Sequence, residues 1–187
     1  MAVRKIIRMG HPTLRKVARK VTQDELGSAA LESLVADMVE TLHASGGIGL
    51  AAPQIDEPLR VAIIEIDGGP SRYGDIPRLP LSVFVNPEVH VLSAEPQGYW
   101  EGCLSIPGLR GFVNRPQHIR VNATGLDGQR HSLELEGFLA TVFQHEFDHL
   151  DGKLFIDRIE DRRLLAFDEE FERYVLAPQQ AAEGAGE

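Results

Sequence analysis

The chain has 187 residues, 43% of them hydrophobic, which is one domain's worth of sequence with enough apolar mass for a real core. Its net charge of −9 argues against nucleic acid as the main ligand. A single cysteine rules out an internal disulfide and suits a reducing compartment, and no apolar run approaches the ~18 residues of a membrane span, so a cytoplasmic protein with no membrane partner is expected. The first 23 residues carry Arg4, Lys5, Arg8, Arg15, Lys16, Arg19 and Lys20 with no acid before Asp24, a composition similar to an organelle presequence. Leu31, Leu34, Val35, Met38, Val39 and Leu42 then recur at helical spacing, predicting a helix over 24–44 that covers a sheet and ends at Ser45-Gly46-Gly47. Residues 60–66 and Val83-Phe84-Val85 read as strands, and 67–80, with three Gly and three Pro, as a loop. Ile119 to Asn122 and His131 to Leu135 alternate around Asp127-Gly128 and predict a hairpin.

Gly137 to Leu150 read as a helix stopped by Gly152, with Phe138, Leu139, Val142, Phe143 and Phe147 covering more than one face, as in a buried helix. Leu164, Phe167, Phe171 and Tyr174 suggest a short amphipathic helix, and 177–187 a disordered acidic tail that leaves 1–176 as a single domain. The elements alternate without a βαβ rhythm and contain no internal repeat. An α+β fold is expected, with antiparallel sheet packed around the helix of residues 137–150.

That helix contains His145-Glu146-Phe147-Asp148-His149. Residues four apart share a helix face, so His145 and His149 can meet one metal ion, and Glu146 beside them can move the proton of a water. Two histidines in a buried helix need partners, and a metal satisfies both. A third protein ligand is then required. Glu169 or Glu170 would serve as in the gluzincin proteases; the third histidine of the metzincins is missing after His149. Cys103, in Glu101-Gly102-Cys103-Leu104-Ser105, would serve as a thiolate. A lone cysteine is otherwise a small buried hydrophobe, or a nucleophile if a base activates it.

Three segments stand in order: Gly47-Ile48-Gly49-Leu50-Ala51-Ala52-Pro53-Gln54, Glu101-Gly102-Cys103-Leu104-Ser105, and Gln144-His145-Glu146-Phe147-Asp148-His149. Together they resemble the three signature motifs of the peptide deformylases, and Gly10-His11-Pro12-Thr13-Leu14-Arg15 resembles the family's opening segment. The resemblance runs from about residue 5 to 160. It implies a catalytic domain of the deformylase fold that removes formyl from the N-terminal methionine of nascent chains and releases formate. It also places a folded segment where the basic N-terminus stands, so an untargeted bacterial protein is expected.

The resemblance further implies that Cys103, His145 and His149 hold one divalent ion, Fe²⁺ in the cell, with Zn²⁺, Ni²⁺ or Co²⁺ as substitutes in purified protein. Glu146 is implied as the proton carrier, and Gln54 with the backbone N–H of Leu104 as the oxyanion donors. Asp148 is expected to be structural, through a salt bridge or a group behind the ligands. Ile48, Gly49, Tyr99, Glu101, Gly102, Arg110, Phe138, Thr141 and Val142 are the implied substrate contacts. Glycines in the first motif would let a peptide main chain approach closely, since no Cβ intervenes; no Gly-Lys-Ser/Thr follows, so it is not a phosphate loop. Formylated nascent peptides are thus the expected partners, near the ribosome. After Arg163, however, Asp168, Glu169, Glu170, Glu172, Glu183 and Glu187 face Arg173 alone, which disfavours direct docking on RNA. Tyr99-Trp100 and Ile106 to Arg110 resemble the branch shared with organelle enzymes, which raises a homodimer as a hypothesis.

Overall fold

The computed structural model describes residues 2–71 and 74–178. Ser28 caps the first long helix, α1 (Ala29–Ser45): its Oγ accepts from the Leu31 N–H at 3.2 Å. The cap and the left-handed Gly27 before it (φ 70°) end the expected helix several residues short of Asp24. Gly46, at φ 67°, closes the other end.

The main sheet is antiparallel. β1 (Gly49–Ala51) pairs with β2 (Val61–Ile66), which pairs with β5 (Leu79–Cys103), then β6 (Ile106–Thr124) and β7 (Arg130–Glu136). β2 is apolar along almost its whole length because both its faces are covered. Val61 and Ile63 pack with Leu31, Val35, Met38 and Leu42 of α1. Ala62 and Ile64 pack with Phe143 and Phe147 of the second helix, α2 (Gly137–Leu150). β1 divides the same way: Leu50 joins the α1 core, while Ala51 joins that of α2.

β5 extends far beyond Val83-Phe84-Val85, to 25 residues, and β6 has 19. Their ladder shifts register between Val85 and Glu88, around Ser93, and between Glu101 and Cys103. Bulges of this kind let Pro87 and Pro96 sit inside a strand. The segment 67–80 is not all loop, since β3 (Gly69–Ser71) and β4 (Gly74–Ile76) pair within it. The hairpin around Asp127-Gly128 joins β6 to β7. β7 runs straight into α2 through Gly137, whose φ of 58° turns the chain from strand to helix.

α2 ends in paired carbonyl bonds: Lys153 N–H to Asp148 O at 2.9 Å and Gly152 N–H to His149 O at 3.2 Å. A Cβ on Gly152 would meet the backbone of Arg15 at 2.8 Å, so the helix stop is also a packing point for the basic N-terminal segment. That segment is built in elsewhere too, with Ile7 N–H on Gln54 O at 2.9 Å and Met9 N–H on Ser105 O at 2.8 Å.

The C-terminal residues depart from the expected amphipathic helix. Leu165–Phe167 form β8, which pairs with β6, and only then does a short helix, α3 (Asp168–Phe171), lead into a π turn. Of the four apolar residues at helical spacing Phe171 is buried, whereas Phe167 and Tyr174 are each 65% exposed. Most of the expected disordered tail, 179–187, lies outside the described residues; Ala177 and Pro178 are exposed and helical. No helix of the described residues is long and apolar enough to cross a membrane.

Candidate metal centre

Three donors converge between α2 and the β5–β6 turn. Cys103 is the last residue of β5, and His145 and His149 lie one helical turn apart on α2. Their ligand atoms all fall within 4.8 Å of one another, with Cys103 Sγ 3.3 Å from His149 Nε2. Glu169 and Glu170, the other candidates for a third ligand, are exposed on α3. Burial pushes the Cys103 thiol up, but the charge of His149 and hydrogen bonds to both histidines outweigh it and bring the pKa down to about 5. A thiolate with two imidazoles is a donor set that holds one divalent transition-metal ion and leaves a coordination position open. The residues therefore fit such an ion.

Behind the donors lies a buried chain of charge. Glu101 Oε2 meets His145 Nδ1 at 2.7 Å, which leaves Nε2 of His145 for a metal. Arg115 donates from Nε to Glu101 Oε1 at 2.6 Å and from Nη1 to Asp148 Oδ2 at 2.8 Å. Arg158 then closes on Asp148, with Nη2 2.6 Å from Oδ1. Burial disfavours the charged forms of Glu101 and Asp148, yet the hydrogen bonds of His145 and Arg115 hold the first below its usual range, and those of Arg158 and Arg115 the second. Asp148 is thus the ion-pair anchor tying α2 to β6 and Arg158.

Glu146 turns its carboxyl towards Gly49 of β1. It is buried, its Oε2 has no hydrogen-bond partner among the described residues, and burial raises its pKa. Gln54 lies in the 3-10 turn Ala52–Ile55, and its amide orientation is set by Oε1 accepting from Ala51 N–H at 2.8 Å. Its Nε2 is thereby turned to Cys103 Sγ, 3.7 Å away, and Ser105 Oγ, 3.3 Å away.

A cavity of about 480 Å³ opens onto this cluster. Gln54, Leu104, Cys103, His145 and Glu146 line it, together with Ile48, Gly49, Gly102, Arg110, Phe138, Thr141 and Val142. Glu101 borders it too, although its carboxylate is occupied by His145 and Arg115. Tyr99 does not reach the wall. It is 8% exposed and lies behind Phe138, ring centroids 5.7 Å apart, and its neighbour Trp100 lines the cavity instead. Successive strand residues face opposite sides, so choosing one of an aromatic pair requires the register. His149 lies at the metal cluster but not on the wall. Sequence reasoning missed Arg115 and Arg158, whose partners are distant in the chain, and Asp168, which reaches the rim through the unexpected β8.

The family model for polypeptide deformylase matches residues 3–164. A peptide deformylase from Leptospira biflexa is 39% identical over 172 residues, covering 92% of this chain and 96% of the relative. Peptide deformylase 1 from Prochlorococcus marinus is 45% identical over the same number of residues, 92% of this chain and 88% of its own. Among solved structures, a class I type b peptide deformylase from Acinetobacter baumannii bound to Met-Ala-Ser superposes with a TM-score of 0.79 at 38% identity, covering 84% of this chain and 99% of that one. The chain belongs to the polypeptide deformylases, metal-dependent hydrolases that remove the formyl group from the N-terminal methionine of nascent chains.

Proposed function

We propose that this chain performs that hydrolysis with Glu146 as the proton carrier and with Cys103, His145 and His149 holding the ion. The observation that carries the reading is the buried Glu146 carboxyl, one oxygen without a hydrogen-bond partner among the described residues, lining the same open cavity as the metal donors Cys103 and His145. When bound, the ion would acidify a water and polarise the formyl oxygen. Burial raises the Glu146 pKa, which favours an acid that takes a proton at one stage and returns it to the departing amine at the next. Gln54 Nε2, turned inward by its bond to Ala51, and the Leu104 N–H in the turn after Cys103 are the donors for the developing oxyanion.

Phe138, Thr141 and Val142 of α2, with Trp100, supply an apolar pocket wall suited to the methionine side chain. β1 ends the sheet, and its Gly49 lines the cavity. A peptide main chain running along that edge would be recognised largely without regard to its side chains. The ion is proposed to be Fe²⁺ on the family resemblance, although the thiolate–imidazole donors would also hold Zn²⁺, Ni²⁺ or Co²⁺; oxidation of Fe²⁺ would inactivate aerobic preparations. The setting is proposed to be the cytoplasm, near the ribosome but without RNA docking through the acidic C-terminal residues. A homodimer is proposed on the branch resemblance alone, and a monomeric mass in sedimentation at micromolar concentration would remove it.

The test is formate release from N-formyl-Met-Ala-Ser by anaerobically prepared, Fe²⁺-loaded protein, with Cys103→Ala in parallel. Release by the native chain that disappears in the variant is expected. No release from metal-loaded native protein would overturn the reading.

A further inference from the structure

The C-terminal segment completes the substrate cavity. β8 lies antiparallel on β6, with Leu109 opposite Phe167, Arg110 opposite Ala166 and Gly111 opposite Leu165. This pairing carries Asp168, the first residue of α3, to the cavity rim. There Arg110 Nε donates to Asp168 Oδ1 at 2.8 Å. The guanidinium crosses Gly102, where a Cβ would stand 2.4 Å from Nη1, so glycine is required for this path. Phe171, buried three residues further on, anchors α3 against Trp100 with ring centroids 4.9 Å apart. Apart from Glu101, His145 and Glu146 of the metal centre, Arg110 and Asp168 are the acidic and basic side chains on the cavity wall among the described residues.

We propose that Asp168 is a specificity-determining residue for the side chains that follow the formylmethionine. By cancelling the charge of Arg110 it makes the rim indifferent to acidic and basic residues in those positions. The proposal rests on the deformylase reading and deepens it. Nascent chains differ in charge from their second residue onward, and an uncompensated guanidinium at the rim would select acids and repel bases. Both side chains are partly exposed, 35% for Arg110 and 39% for Asp168, so solvent screening limits the effect. One uncompensated rim charge is then worth roughly threefold for each peptide of opposite sign and as much against each of like sign.

The experiment compares metal-loaded native protein, Asp168→Asn and Arg110→Gln on formyl-Met-Ala-Asp, formyl-Met-Ala-Ser and formyl-Met-Ala-Lys. Calorimetry on the deformylated Met-Ala-Asp and Met-Ala-Lys gives a second readout that needs no turnover. The native enzyme is expected to treat the acidic and basic peptides alike. Asp168→Asn should shift the acid-to-base ratio of kcat/KM about tenfold towards the acid, and Arg110→Gln should shift it in the opposite direction. Shifts of opposite sign cannot come from a loosened fold. An unchanged ratio in both variants, shifts in the same direction, or a native enzyme already selective by charge would overturn the proposal. Failure of the native protein to release formate from formyl-Met-Ala-Ser would instead overturn the deformylase reading, and the calorimetric ratios would still decide the role of the rim.

Discussion

A Cβ on Gly49 would stand 2.6 Å from the carboxyl carbon of Glu146 and the same distance from its Oε1. The missing side chain on β1 is therefore what gives the acid on α2 its place. The glycine-rich first motif thus has an intramolecular role beside any approach of substrate: Gly49 and Ala51 keep that face of β1 low enough for α2 to lie against it.

Gly49→Ala should leave the metal donors in position while pushing the Glu146 carboxyl aside. A displacement of about 1 Å at a reacting group costs on the order of a hundredfold in rate. We expect kcat for formate release to fall by about that factor, with metal content unchanged by elemental analysis. An unchanged kcat would show that Glu146 has room to retreat without loss.

Gln54 uses its two ends for different work, and Gln54→Leu should separate them. Loss of the Nε2 donor is expected to lower kcat by about 10²–10³-fold. Loss of Oε1 leaves the buried Ala51 N–H without its acceptor, at a cost of about 1–3 kcal/mol, read as a lower midpoint in urea unfolding. A variant that loses stability yet keeps its kcat would confine Gln54 to bracing the turn.

Arg115 is 4% exposed and stands between Glu101 and Asp148. Arg115→Met would leave two carboxylates buried without their shared cation, and stability should fall by about 3–5 kcal/mol. Because Glu101 orients His145, metal affinity should fall about 10–100-fold in a competitive chelator titration. Arg158→Met is the contrast: that side chain is 42% exposed, and its loss should cost no more than about 1 kcal/mol. Equal effects of the two substitutions would refute the ordering.

The parts of this site legible from sequence are those whose geometry is local. His145, Glu146 and His149 follow from the pitch of one helix, and the β6–β7 hairpin from Asp127-Gly128 between two alternating runs. Cys103 needed the motif frame, because nothing near it in sequence says that β5 ends beside α2. The long strands run through Pro87, Pro96 and Pro116, residues that cannot donate to a ladder, and register shifts beside Pro87 and Pro96 accommodate two of them. Leu164, Phe167, Phe171 and Tyr174 have helical spacing, yet pairing with β6 overrides it and sends Phe167 outward. Arg115, Arg158 and Asp168 are ordinary charged residues by composition. Their roles arise from contacts 10 to 58 residues away in the chain, which no local pattern encodes.

Metal removal should change the chemistry of Cys103 itself. With the two imidazoles close by, its pKa of about 5 makes the free thiol a thiolate at neutral pH. It lines the cavity, so a small alkylating reagent has a path to it. Protein stripped with a strong chelator should therefore be alkylated by iodoacetamide at pH 7, and the reloaded protein should be protected, because the sulfur's electron pair is then bound. Cys103 is the chain's one cysteine, so the mass of the intact protein reports the reaction without ambiguity. The stripped form should also be less stable, since an ion that binds only the folded chain contributes about 2.7 kcal/mol at a hundred times its dissociation constant. Alkylation at equal rates with and without metal would remove Cys103 from the ligand set, leaving the two histidines of α2 to find their third partner elsewhere.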